Sequence, residues 1–512
     1  VSPARGTMES MPSPRRPRIV VVGDVGGGST LHVGDEAMTE TAVAELRRRG
    51  LDGLLLLSRN PADTRARYGV ASIQRIGFAG LDHDAVMARY DRVLRLLEGD
   101  GDALPPGDPA HTVIRTVRDA DAVLIAGGGN ITTLYAEHLA ERAAVGAIAA
   151  RAGIPLAIGG QSLGPDFSAE DSLRVAALLR SSHLTAAREP GSFALGRALA
   201  PGTRLVETGD DAVLLGPADA SDEEIARRHG LVPGGFVALS FSPASGVMGY
   251  ATLLDDLRHL AGSIAAHTSL PLVLVRHEGA MDPADSLADD AIAVALAPLG
   301  VASPRMLDAR TSAALTRSAA LCVTSRYHGA VFALAGAVPT VALWPERYSL
   351  QKMQGLLAHH GLDDWCAPLS AIGTGHAERL ISAAWEHRGA IAEHLASARP
   401  AARAHAEQWW DAVAAVLTGR EPSIPGPYPT PPRLDLEGSL AAELRRMAAL
   451  TLAAEGAGGH AGDDEAARWQ ARVRELETSS SWRMTAPLRA VSGFLRGHRD
   501  PARGGRGPGG VG

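Results

Sequence analysis

The segment Ser325-Arg326-Tyr327-His328-Gly329 puts a permanent cation and a titratable imidazole two residues apart. Such a pair suits an anion and has acid/base capacity beside it. The flanking residues indicate how it is held. Leu321-Cys322-Val323-Thr324 reads as a buried strand, Ala330 to Ala335 as a short apolar helix, and Val338 to Leu343 as a second strand. The polar residues therefore fall in a turn at the carboxyl end of a strand, which is where ligands bind in open α/β sheets. A plainer reading stays open at this level: the same Arg and His could cap the helix or pair with a surface carboxylate.

Other strand ends carry similar residues. Arg18 to Gly23 reads as the first strand and opens into a loop rich in glycine from Gly23 to Gly28. Such a loop lets backbone N–H groups approach a ligand. Its spacing is neither the dinucleotide G-x-G-x-x-G nor a P-loop. Asp35 and Glu36 then begin an alanine-rich helix, where two acids also suit the helix dipole. Gly53–Leu57 is a second strand, and 61–118 reads as helical or irregular. Ala122–Ala126 ends in Gly127-Gly128-Gly129-Asn130, and Ile154–Ile158 ends in Gly159-Gly160-Gln161. Leu184–Glu189 carries Arg188 at its end, and a strand within Leu205–Leu215 carries Asp210-Asp211. Later, Phe236–Phe241 and Pro271–Val275 are strands, the second ending in Arg276-His277-Glu278, and helices fill 353–418. This alternation predicts the α/β class, with doubly wound parallel sheets and loops converging on one edge.

The length of 512 residues argues for two large domains and a tail. Apolar residues at 46% can fill their cores, and 21% charged residues argue against general disorder. A net charge of -7 with 4% aromatics argues against nucleic acid as a partner. Two cysteines, Cys322 and Cys366, suggest neither a metal site nor a disulfide framework, so a reducing cytoplasm is the expected setting. The apolar run Ile19–Val22 is too short for a signal peptide, and no run approaches a membrane span. The expected division is a disordered 1–17, domains at 18–218 and 219–420, a proline-rich linker at 421–433, a helical extension at 434–478 and a basic tail at 479–512. The extension repeats apolar residues on one helix face at Leu436, Leu440, Leu444 and Met447, then at Trp469, Val473 and Leu476. Such a stripe can dock on the same chain or make a homodimer. The tail, with six arginines and one acid from Arg483 onward, is a solvated end or a peripheral contact to the inner membrane face.

Taken in order, these segments resemble the polysaccharide pyruvyl transferase family. His32-Val33-Gly34-Asp35-Glu36 fits the family's Asn-x-Gly-Asp-Glu loop, with His in place of Asn. Gly127–Gly129 matches its triple glycine, and Gly160–Pro165 its Gly-x-Ser-x-Gly-Pro loop. Arg188-Glu189 with Ser192 and Asp211–Leu215 follow, the latter with Ala212 where Pro is usual. The strongest match is Ser325–Gly329 with Pro339 and, further on, Lys352. The tail motif Ser481 to Arg489 is similar to segments beside bacterial glycosyltransferase modules.

The resemblance implies two Rossmann-like domains facing across a cleft, GT-B-like, plus a helical C-terminal extension. It implies pyruvyl transfer from phosphoenolpyruvate, as co-substrate, to hydroxyls of a glycan or lipid-linked sugar, forming a pyruvate ketal. Neither cofactor nor metal is required. Arg326, Arg188 and Lys352 would hold the donor's phosphate and carboxylate, helped by Tyr327, Gly329 and the backbone at Gly128, Gly129 and Gly160. His328 would be the acid/base or a phosphate ligand, and Asp35 or Glu36 would take the hydroxyl proton. His32, Asn130 and Gln161 would meet the acceptor. Two other readings remain: a GT-B nucleotide-sugar glycosyltransferase, and a scaffold for glycan assembly that has lost its chemistry.

Overall fold

The computed structural model describes residues 16–457 apart from 27–29, 217–219, 245, 247, 281–286 and 305. Two parallel sheets organise it. The first has eight strands: β1 (Ile19–Val22), β3 (Leu54–Ser58), β4 (Ala71–Gln74), β5 (Ala122–Ile125), β6 (Gly128–Ile131), β7 (Leu156–Leu163), β8 (Leu184–Ala187) and β9 (Leu205–Glu207). A three-residue strand β2 (Thr30–His32) lies outside it. The strand order is β4-β3-β1-β5-β7-β8-β9, with β6 on β7, so it reverses direction between β1 and β5. The second sheet has five strands in the order β11-β10-β13-β14-β15: β10 (Val237–Ser240), β11 (Leu272–Leu274), β13 (Leu321–Thr324), β14 (Thr340–Trp344) and β15 (Cys366–Pro368). It reverses between β10 and β13. A crevice opens at each reversal, at the carboxyl ends of the strands.

The strands are short, continuous apolar runs because both sheet faces are covered by helices. Ile19, Val21 and Val22 are wholly buried, as are Leu321, Cys322 and Val323. Helix starts follow the capping rule: Ser168 accepts from Asp171 N–H and Ser221 from Glu224 N–H.

The domains meet through an antiparallel ribbon. β2 pairs with β12 (Glu278–Ala280), placing Glu278 opposite His32, and Val33 N–H donates to His277 O at 2.9 Å. The helix Arg347–His359 of the second domain also bonds to the first. Tyr348 Oη donates to Gly129 O, Gln351 Nε2 to Leu163 O at 2.9 Å, and His359 Nε2 lies 2.6 Å from Glu207 Oε1.

Several elements differ from the sequence expectation. Both glycine runs are strand rather than loop: Gly128 begins β6, and Gly159 and Gly160 lie inside β7. The tight packing admits nothing larger at two of these glycines, since a Cβ on Gly159 would sit 2.7 Å from Gly127 N and one on Gly127 2.9 Å from Gly160 O. The chain after β9 turns early, because Asp210 Oδ1 accepts from Ala212 N–H and starts a 3₁₀ turn. β4 and β15 fall within stretches read as helical or irregular. The helix Arg388–Leu417 begins on the second core at Ile391 and Leu395 but buries Trp409, Trp410 and Val413 against Ile19 and Val21 of the first. Its second half therefore packs with the first domain, not with 219–420. Residues 421–433 follow the surface across the junction, with Tyr428 stacked on His359 at 4.0 Å. Leu436, Leu440 and Leu444 then dock the helix Leu440–Ala457 on the second core. Residues 1–15 of the expected disordered start, the second apolar stripe, the Ser481–Arg489 motif and the basic tail lie outside the described residues. Among those described, no helix is long and apolar enough to cross a membrane.

Candidate active site

The two crevices face each other, and the ribbon brings their residues together. Arg326 lies two residues after β13 and precedes the helix Tyr327–Ala335, whose first turn carries His328. The His328 ring lies against the backbone of Gly34 at the start of the first helix, Val33–Arg48. A Cβ at Gly34 would sit 1.9 Å from His328 Nδ1. Glycine in the His-Val-Gly-Asp-Glu segment is thus a condition for the two domains to close. Gly34→Ala is expected to part them or turn the imidazole, lowering turnover by about tenfold or more, with an overpacking cost of about 1–3 kcal/mol. Steady-state assay beside thermal denaturation checks this; unchanged turnover would overturn it.

Around His328 stands a buried ionic cluster. Arg188, at the end of β8, donates from Nη1 to Asp210 Oδ2 at 2.9 Å and from Nε to Ser162 Oγ at 2.8 Å, and Glu189 Oε2 lies 3.6 Å from Nε. Its guanidinium covers the Tyr327 ring at 4.1 Å. His328 Nε2 lies 3.6 Å from Asp210 Oδ2 and has no hydrogen-bond partner among the described residues. Lys352 rests over the Tyr348 ring at 3.6 Å and is 5.9 Å from the Tyr327 ring.

These surroundings set the proton affinities. Burial, then Arg188 and Lys352, hold His328 well below the usual imidazole range, so it is neutral near pH 7. The imidazole expected as an acid/base or a phosphate ligand is therefore without its second proton near neutrality. Among the cations of the cluster, Lys352 is lowered to about 7 by burial and by Arg188. Asp35 is raised to about 6 by burial and by Asp24. At Asp24 burial acts upward, but His138, Arg75, Arg142 and Arg59 outweigh it and keep that carboxyl low; Arg75 Nη1 lies 2.7 Å away. Two carboxylates near one another thus have proton affinities pushed apart, a pattern of acid/base sites.

Arg326 pairs with Glu278 and donates from Nε to Phe241 O at 3.3 Å. Glu278 is lowered to about 2 chiefly by Arg326, and its Oε1 is 3.8 Å from His32 Nδ1. His32, Glu278 and Arg326 therefore form one interdomain chain.

Gly128 is the floor of a polar hollow. The position its Cβ would take is 3.8 Å from Gln161 Oε1 and 4.0 Å from both Asn130 Nδ2 and Asp35 Oδ1. Gln161 Nε2 is committed to Ala126 O at 2.6 Å, while its buried Oε1 has no partner among the described residues. Gly129 lies beneath Arg188 and the Tyr348 hydroxyl, each 2.8 Å from its Cβ position.

Other expected site residues lie elsewhere or do something else. Glu36 is buried beneath the glycine loop, with Oε1 3.4 Å from Gly26 N, and is raised to about 7 by burial. It does not join the cluster. Gly160 N–H is taken by Asp211 Oδ2 at 3.3 Å, and Gly329 N–H by Arg326 O at 3.1 Å, so neither offers a donor. Gly329 instead allows close packing, since a Cβ there would be 2.5 Å from Thr324 Oγ1. Tyr327 is buried as the platform under Arg188. Asp24, Ser162, Asp210 and Tyr348 received no role from the sequence. The strand-end rule singles out Asp24 and Asp210, whereas Tyr348 enters only through the domain contact.

Two Rossmann-like domains with facing strand ends define the GT-B-type architecture. The fold is shared with a putative UDP-N-acetylglucosamine 2-epimerase from Listeria monocytogenes, at 12% identity and TM-score 0.52, over 82% of this chain and all of that one. It is also shared with the S. aureus MnaA–UDP co-structure, at 12% identity and TM-score 0.51, over 80% of this chain and all of that one. Residues 32–347 match the sequence pattern of the polysaccharide pyruvyl transferases, and the chain belongs to that family. No curated protein matches it closely enough to count as a relative.

Proposed function

We propose that the protein transfers the pyruvate unit of phosphoenolpyruvate to two hydroxyls of one sugar residue in a surface polysaccharide or its lipid-linked precursor, forming a cyclic ketal. The observation that supports this most is the gathering of Arg188, Lys352 and a neutral His328 from both domains opposite the raised carboxyl of Asp35. The donor's phosphate and carboxylate call for fixed cations, and Arg326 adds one at the ribbon.

In the proposed reaction Lys352 protonates the enol methylene, making C2 electrophilic. One sugar hydroxyl adds to C2 and gives its proton to Asp35. The C2–O(phosphate) bond then breaks as the second hydroxyl adds, and the released phosphate carries away that hydroxyl's proton. Net, one hydroxyl proton replaces the proton delivered to the methyl group and the other leaves on phosphate. His328 Nε2 binds the phosphate and gains proton affinity as the anion arrives.

Calorimetric titration with phosphoenolpyruvate, beside UDP- and GDP-sugars, tests the donor. Saturable phosphoenolpyruvate binding, weakened by about 2–5 kcal/mol in Arg326→Ala because Glu278 then faces the anion without its partner, is the expected result. Binding of a nucleotide sugar but not phosphoenolpyruvate would move the chain to glycosyl transfer. Binding of neither would favour the scaffold reading.

A further inference from the structure

Tyr135 stands where the proposed reaction needs a sugar. It ends the short 3₁₀ turn Thr133–Tyr135 directly after β6, the strand that carries Gly128 and Asn130. The turn is fixed: Tyr135 N–H donates to Thr132 O at 3.2 Å, and Thr132 Oγ1 accepts from Leu134 N–H at 3.4 Å. Two rings hold the tyrosine edge-on, His138 at 6.2 Å and Tyr348 at 6.1 Å. The Tyr348 hydroxyl itself rests on Gly129 O, one residue from the polar hollow.

Tyr135 nonetheless remains 43% exposed, and it is the one aromatic among the large exposed apolar side chains of the described residues. Aromatics make up only 4% of the sequence, and the other large rings near the cleft, Tyr327 and Tyr348, are buried. Leaving such a ring open at a cleft mouth forgoes the burial that an aromatic ordinarily gains. Desolvation, then the carboxylates of Glu346, Glu278 and Asp35, raise its phenol to about 12, so it stays a neutral hydroxyl beside those acids. An apolar face with a charged rim matches a pyranose, whose C–H faces are apolar and whose edge is hydroxyl. Asp35, part exposed, lies 4.0 Å from the position a Gly128 Cβ would take and can accept from a hydroxyl there.

We propose that a hexopyranose of the acceptor rests on the Tyr135 ring and directs its hydroxyl edge into the hollow formed by Gly128, Asp35 and Asn130. The inference rests on the proposed transfer to sugar hydroxyls and assigns the acceptor its platform. Saturation-transfer NMR tests it on the full chain, with methyl glycosides of glucose, galactose, mannose and N-acetylmannosamine as probes. At least one glycoside should show saturation concentrated on the protons of one ring face. That signal should fall about fivefold or more in Tyr135→Ala and stay within about twofold in Tyr135→Phe, as loss of one aromatic face implies. Thermal denaturation of Tyr135→Ala should stay cooperative with a midpoint close to that of the wild type, which separates a lost platform from a lost fold. If no glycoside is saturated by the wild type, or the signal survives in Tyr135→Ala, the platform is wrong. If the glycoside results are as expected while phosphoenolpyruvate fails to bind, the donor reading falls and the platform stands.

Discussion

Lys352→Arg is expected to keep the positive charge of the cluster and still lower turnover by about 10²–10⁴-fold, because a guanidinium cannot deliver a proton near neutrality. Lys352 is held at about 7 by burial and Arg188, with Glu346, Glu189 and Asp35 acting the other way. As an acid it works when protonated, so its contribution is complete below about pH 7 and is lost as pH rises through that value. Asp35 works as a base when ionised, and its contribution is lost as pH falls through about 6. A narrow bell in kcat/KM between these values is the expected profile of the free enzyme. The donor's phosphate also titrates in this region. That ionisation is common to wild type and variant, so the comparison cancels it. Loss of the alkaline limb in Lys352→Arg, read from phosphate release across pH, supports the assignment. A low but unchanged bell would give the proton transfer to another group.

The sheets were legible because their strands are buried on both faces and read as unbroken apolar runs, as Ile19–Val22 and Leu321–Val323 do. The strands that went unread were those without a full pattern. β2, β12 and β15 have three residues each, too few for any periodicity, and the ribbon made by two of them depends on the domains already facing each other. Glycine misled in one direction. Gly127–Gly129 and Gly159–Gly160 look like loops in sequence, but Gly127, Gly159 and Gly160 are glycine because neighbouring backbone approaches closely. Arg188, Arg326, His328 and Lys352 could be chosen by residue type at strand ends and by their order. Their working states could not, since burial and mutual repulsion leave the lysine, not the histidine, near neutrality. Asp24 shows the same limit from the other side. It repels the charged form of Asp35 directly, from a place fixed by Arg75 and Asn130, residues 51 and 106 positions away.

Arg188→Met is expected to cost about 3–5 kcal/mol of stability, more than removing any surface charge, because it strands buried carboxylates. The side chains of Asp210 and Glu189 are fully buried, and the guanidinium is the cation that compensates both. Burial raises both carboxyls, so the two acids differ in their other bonds. Glu189 keeps the Ser192 hydroxyl at 2.5 Å. Asp210 also caps Ala212 N–H at 2.8 Å, and through that bond it fixes the turn after β9. Neutralising it with Asp210→Asn in the Arg188→Met background should therefore restore much of the lost denaturation midpoint, since an amide keeps an oxygen for the cap and carries no charge. Activity should not return with stability, because the donor would lack the guanidinium that lies over the Tyr327 ring. Urea midpoints and turnover of the two single variants and the double variant separate these effects. An unchanged midpoint in Arg188→Met would show that the cluster is not what secures β8 and β9. A double variant that is both stable and active would remove Arg188 from the donor site.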